Sequence, residues 1–80
     1  MNLEGKKEDE TEIMFLMNNA VRNEVERCID QLGIKASAIA SKSNIRDSYL
    51  SQWRTRKTEF DMVQLEKIIN IIAKFKDLLE

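Results

Sequence analysis

The sequence predicts an all-α protein, a small bundle of four to five helices in which two short central helices are joined by a tight turn. Two observations predict it. The 80 residues include no proline and only two glycines, Gly5 and Gly33, so little interrupts a helix. The apolar residues recur at three- and four-residue steps, and the turn-dense spacing of a β-sandwich is missing. A chain this short makes one domain at most and buries barely enough apolar surface to fold alone, so a homodimer is an expectation from the start.

Residues 1–12, MNLEGKKEDETE, are charged and nearly devoid of apolar groups. They read as a disordered tail, leaving 13–80 as the folded unit. The first helix is expected over about 12–32. Ile13, Leu16 or Met17, Ala20, Val21, Val25, Cys28, Ile29 and Leu32 form its stripe, Thr11 is a candidate N-cap and Gly33 a stop. A short second helix spans 35–43 with Ala36, Ile39 and Ala40 inward. Ser43-Asn44 then turns the chain, since asparagine tolerates positive φ. The third helix, 46–55, has Leu50 and Trp53 on one side and Arg46, Asp47, Ser51, Gln52 and Thr55 on the other. After a polar loop, Asp61 caps the last helix, 62–79, with Gln64 at the capping-box position. That helix carries two apolar rows: Met62, Leu65, Ile69, Ile72 and Leu79, and Ile68, Ile71, Phe75 and Leu78.

Composition narrows the function. Cys28 is the single cysteine, and there is no histidine, which excludes an internal disulfide, imidazole catalysis and the commonest metal ligand. With no glycine-rich phosphate loop and no nucleophile–base pair, the chain reads as a non-enzyme without a cofactor. The longest uncharged stretch, Ile13 to Val21, is too short to span a bilayer, and 1–12 lack a signal peptide's apolar core. A soluble protein of the cytoplasm is the expectation.

The net charge of −1 hides an asymmetry: 1–12 carry −3, 13–32 carry −1, 33–57 carry +5 and 58–80 carry −2. Screening confines these fields to roughly 8 Å at physiological salt, so local charge decides attraction to phosphate. The basic block coincides with the two short helices. A pair of this kind, with the second helix apolar inside and polar outside, presents an edge that fits a major groove about 12 Å wide.

Residues 34–57, IKASAIASKSNIRDSYLSQWRTRK, resemble the lambda-repressor-like helix-turn-helix domains, a family that includes phage repressors, Cro proteins and many bacterial regulators. Ile39-Ala40 matches its Leu-Ala pair, Asn44-Ile45 its Gly-Val turn and Leu50-Ser51 its Ile-Ser pair, with Trp53 at the next apolar position. The match continues through Phe60-Asp61-Met62, where the family has Pro-Ser-Leu, and through Leu65, Lys67 and Ile68, covering about 20–72. Four positions depart. Ala36 stands where a phosphate-touching glutamine is frequent, Ser43 where an apolar residue is usual, Asn44 for the turn glycine and Arg56 for a glycine after the recognition helix. Ser43 thins the core under the turn; Arg56 adds charge and is compatible with a longer helix.

The resemblance implies a DNA-binding transcriptional regulator, of the repressor type found in phages and mobile elements, acting on double-stranded DNA. By position, Arg46, Asp47, Ser48, Ser51 and Gln52 would face base edges, Arg46 toward guanine and Gln52 toward adenine. Asp47 is equally a cap of that helix. Lys35, Lys42, Arg54, Thr55, Arg56 and Lys57 would meet phosphates. Ile13, Phe15, Leu16, Ile68, Ile71, Phe75 and Leu78 are the candidate dimer interface, since both end helices hold more apolar residues than one small core can bury. A protein-interaction module on the same fold, an antitoxin or a partner-sequestering regulator, is the second reading.

Overall fold

The computed structural model describes the backbone of residues 3–79 and the side chains of residues 11–78. Among the described residues it is all-helical, with α1 (Leu3–Leu32), α2 (Ala36–Lys42), α3 (Asp47–Arg54) and α4 (Met62–Leu79). No helix among them is long and apolar enough to cross a membrane.

Each boundary has a local cause. Gly33, at φ +69°, ends α1 in the left-handed region, and the Ile34 N–H turns back to the Cys28 carbonyl. Asn44, at φ +59°, ends α2 in the same way. The Ile45 N–H there reaches the Ala40 carbonyl at 2.9 Å and the Asn44 N–H the Ser41 carbonyl at 3.1 Å, the two bonds of a Schellman turn. At α4 the capping box is formed from both sides. The Asp61 carboxylate accepts from the Gln64 N–H at 2.9 Å and the Gln64 side-chain oxygen from the Asp61 N–H at 3.2 Å.

Two boundaries differ from expectation. α1 begins at Leu3 rather than near residue 12, which places Thr11 inside the helix and not at its cap. Residues 1 and 2 of the expected tail lie outside the described residues. A lack of apolar groups argues against burial, not against helicity. Lys and Glu are good helix formers, and extension of an existing helix adds about one hydrogen bond per residue fixed. At α3, Arg56 does not lengthen the helix but ends it. It sits at φ +67°, with its own N–H bonded to the Trp53 carbonyl and the Lys57 N–H to the Gln52 carbonyl at 2.8 Å. A left-handed non-glycine residue is strained by about 1 kcal/mol. Arg56→Gly is therefore expected to raise stability by roughly 0.5–1 kcal/mol, an upward shift of several degrees in thermal midpoint. A lower midpoint would show that the arginine side chain contributes more than its backbone costs.

The core gathers one stripe from each element: Val21, Val25 and Cys28 from α1, Ile34, Ile39 and Ala40, Leu50 and Trp53 from α3, Phe60, and Leu65, Ile68 and Ile72 from α4. The expected rows on α4 are corrected here. Leu65, Ile68 and Ile72, with Phe75 packed against them, fall within an arc of roughly 80° at about 100° per residue, so the core face draws on both rows. Ile68 is fully buried and is not an interface residue. Ile71 and Phe75 are half-buried, whereas Ile69 and Leu78 face outward.

Two buried polar residues, four apart on α1, tie that helix to the loop after α3. The Asn18 side-chain oxygen accepts from the Trp53 indole N–H at 2.8 Å and from the Phe60 N–H at 2.9 Å. Its amide nitrogen donates to the carbonyls of Phe60 and Met14. Arg22 donates to the carbonyls of Trp53 (2.6 Å) and Thr58 (2.7 Å), to Asn19 and to Glu59, and lies 5.3 Å from the Trp53 ring centroid. Phe60 closes the assembly by stacking on Trp53, ring centroids 4.8 Å apart at 8°. Cys28 is buried in the same core, and its burial pushes the thiol's pKa up, which keeps it protonated and unreactive.

Candidate nucleic-acid interface

The site follows from how α3 is held. Leu50 and Trp53 are 1% and 0% exposed, fixed against α2 and against the Asn18–Arg22 pair. At roughly 3.6 residues per turn, those two anchors leave the opposite side of α3 facing outward. Asp47, Ser48, Ser51 and Gln52 all lie exposed there, with Arg46 beside them. Among the described residues no hydrogen bond or ion pair engages the side chain of any of these five. From Leu3 onward the acidic N-terminal stretch is helical, as part of α1.

Arg46 is the N-cap residue of α3 rather than a member of it, with extended backbone and no side-chain cap bond. Asp47 is the first helical residue and is not the cap. Its carboxylate sits in the first turn, where the helix dipole favours negative charge by about 0.3–1 kcal/mol. Tyr49 packs beside Phe60, ring centroids 5.6 Å apart, and remains partly exposed.

The expected phosphate contacts divide into two groups. Lys35, Lys42 and Lys57 are exposed and without an ionic partner among the described residues, and Arg56 is exposed with a single hydrogen bond to Asn19. Arg54 is different. Its guanidinium makes a two-point contact with Glu26, at 2.8 and 3.2 Å, and the Glu26 hydrogen bond raises its pKa. It belongs to the scaffold as the pin between α3 and α1, not to the open surface. The Thr55 hydroxyl also turns inward, to the carbonyls of Ser51 and Gln52, which leaves it no proton to donate outward.

The distribution of paired charge gives the surface its polarity. Arg22, Arg27, Arg54 and Lys76 all have acidic partners: Glu59, Glu24, Glu26 and Glu24 respectively. The Lys76 hydrogen bond holds the Glu24 carboxyl below its ordinary range. All four pairs involve α1 or the loop before α4. Among the described residues, no cation without an ionic partner lies on α1. Arg46 shares a shallow groove with Asn44, Ile45, Tyr49, Gln64 and Lys67. Next to it, Lys42, Ser43 and Asn44 share a second groove with Lys67, Asn70, Ile71 and Lys74. Asn44 and Lys67 belong to both, so the basic surface runs on from the turn onto α4. Sequence reasoning missed Lys67 and Lys74 because the block 58–80 sums to −2, and only packing separates its lysines from its acids.

The apolar surface is concentrated on α1 and on the side of α4 that meets it. Ile13, Phe15 and Leu16 are each more than half exposed on α1. One turn further, Ala20 and Val21 meet Ile69, Ile72 and Ala73 of α4 in a shallow groove ended by the Glu24–Lys76 pair.

Compared with family models, curated proteins and solved structures, the chain matches none.

Proposed function

We propose that the chain is a sequence-specific, double-stranded-DNA-binding regulator of the lambda-repressor-like helix-turn-helix kind, with the outer edge of α3 entering the major groove. One observation carries the reading: burial of Leu50 and Trp53 leaves Arg46, Asp47, Ser48, Ser51 and Gln52 exposed and unengaged on the projecting side. Lys35, Lys42, Arg56 and Lys57, exposed on the same helix-turn-helix segment, supply the sequence-independent attraction that DNA binding requires. A homodimer completes the proposal. Its interface uses Ile13, Phe15, Leu16, Phe75 and Leu78, with Ile69 in place of the buried Ile68 and without Ile71, which lines the basic groove beside Lys67 and Lys74. Two recognition helices would then meet successive major grooves about 34 Å apart.

Selection of bound sequences from random duplex DNA tests the whole reading. The expected product is a two-fold symmetric site whose half-sites are one helical turn apart, with binding that weakens steeply as salt rises. Recovery of no preferred sequence would reduce the chain to a non-specific binder.

A second reading is favoured by the exposed Ile13, Phe15 and Leu16, which fit a partner protein's apolar helix as readily as a second copy. In that case the chain is an antitoxin or a partner-sequestering regulator. A stoichiometric partner complex without affinity for any duplex would select it.

A further inference from the structure

We propose that the trough between the end of α2 and the adjoining face of α4, lined by Lys42, Ser43, Asn44, Lys67, Asn70 and Lys74 with Ile71 as its one apolar member, is a binding site for a phosphate group. Three ammonium groups from two elements come to one groove, Lys42 from the end of α2 and Lys67 and Lys74 from α4. None has an ionic partner among the described residues, although Glu66 and Asp77 stand on the same helix. Asn44 and Asn70 add neutral amide donors, so the ring of side chains is rich in N–H groups, as a phosphate's oxygens demand.

The independent sign of a ligand is Ser43. It is only 2% exposed, and its Oγ is buried without a hydrogen-bond partner among the described residues. Buried hydroxyls are rarely left in that state, and this one belongs to the wall of the basic trough. A rotation about one side-chain bond redirects it, which gives a bound phosphate oxygen a short, uncharged donor beneath the lysines.

The groove also has a direction. Asn44 and Lys67 line both this trough and the groove holding Arg46. A strand whose bases meet α3 therefore carries its backbone across Lys67 toward Lys74, and the phosphate is a backbone phosphodiester. That last step rests on the DNA-binding reading above; the phosphate site itself does not.

Two measurements on the full chain separate these claims. In the first, amide NMR shifts are followed as inorganic phosphate is added, against sodium chloride of equal ionic strength. Saturable shifts at Ser43, Asn44 and Asn70 with phosphate alone are expected. Both Lys67→Gln/Lys74→Gln and Ser43→Ala should weaken them, and Ser43→Ala should at the same time raise the unfolding midpoint. A serine with a purely structural role would change the midpoint only. Shifts that are absent, or equal in chloride, overturn the site. In the second, duplex affinity is measured against salt. The double lysine variant is expected to lose roughly ten- to thirtyfold in affinity near physiological salt, and its log–log slope to flatten by about two, with base preference unchanged. An unchanged slope, with the phosphate shifts intact, overturns the backbone assignment and leaves a site for free phosphate. Absence of any duplex binding, with those shifts intact, overturns the DNA reading and supports the groove.

Discussion

Replacing Asn18 with leucine is expected to lower the stability of the fold by about 3–4 kcal/mol. The two side chains are similar in size, so packing is nearly conserved and the loss isolates the hydrogen bonds. Without the asparagine oxygen, the Trp53 indole N–H and the Phe60 N–H are buried with no acceptor, and the Phe60 carbonyl loses a donor. Each orphaned group costs about 1–3 kcal/mol. Arg22→Met should cost about 1–3 kcal/mol, since the Thr58 carbonyl loses its donor while the Trp53 carbonyl keeps the Arg56 N–H and an apolar stem stays against the indole. A domain of this size is stable by roughly 4–12 kcal/mol, so either change consumes a large share. Trp53, the single tryptophan, reports the transition by fluorescence during denaturant unfolding. The two residues converge on Trp53 and the chain at 58–60, and their losses in the double variant should not add. A change below about 1 kcal/mol for Asn18→Leu would mean that water replaces the lost bonds.

The second large effect lies on the outer edge of α3. Arg46→Ala is expected to relax base preference at one position of the selected site, a loss of roughly 1–3 kcal/mol of discrimination there. Lys57→Ala should weaken every duplex alike and flatten the salt slope by about one. Both side chains are exposed and without an ionic partner, so neither change should disturb the fold. Competition binding on the preferred duplex and single-base variants of it, at several salt concentrations, separates the two behaviours. If the variants respond identically, the division between reading and positioning residues is wrong.

Much of this architecture was legible in the residues themselves, because its causes are local. The capping box Asp61–Gln64, the left-handed Gly33 and Asn44, and the inward pair Leu50 and Trp53 each involve groups within about one helical turn. A spacing of three or four residues states such contacts directly. The α4 stripe was harder. Ile68, Ile69, Ile71 and Ile72 are chemically alike and spread over an arc of roughly 160° at about 100° per residue, wider than the core face, so periodicity alone did not reveal which of them faces inward. Packing against α1 settled it: Ile68 and Ile72 are buried and Ile69 is not.

The polar residues show the same division more sharply. Arg54 and Arg56 are two residues apart in one basic block. Glu26, 28 positions earlier, turns the first into a structural pin and leaves the second exposed. Asn18 and Arg22 sit amid apolar neighbours on α1, and their partners at 53 and 58–60 lie more than thirty residues away. The sequence by itself determined the helices, their ends and the side of α3 that points outward, since backbone hydrogen bonds and caps depend on near neighbours. Only the tertiary structure decided which charges are neutralised, which serine is buried without a partner and where Lys67 and Lys74 join the turn. Those outcomes depend on distances between segments that the order of residues does not contain.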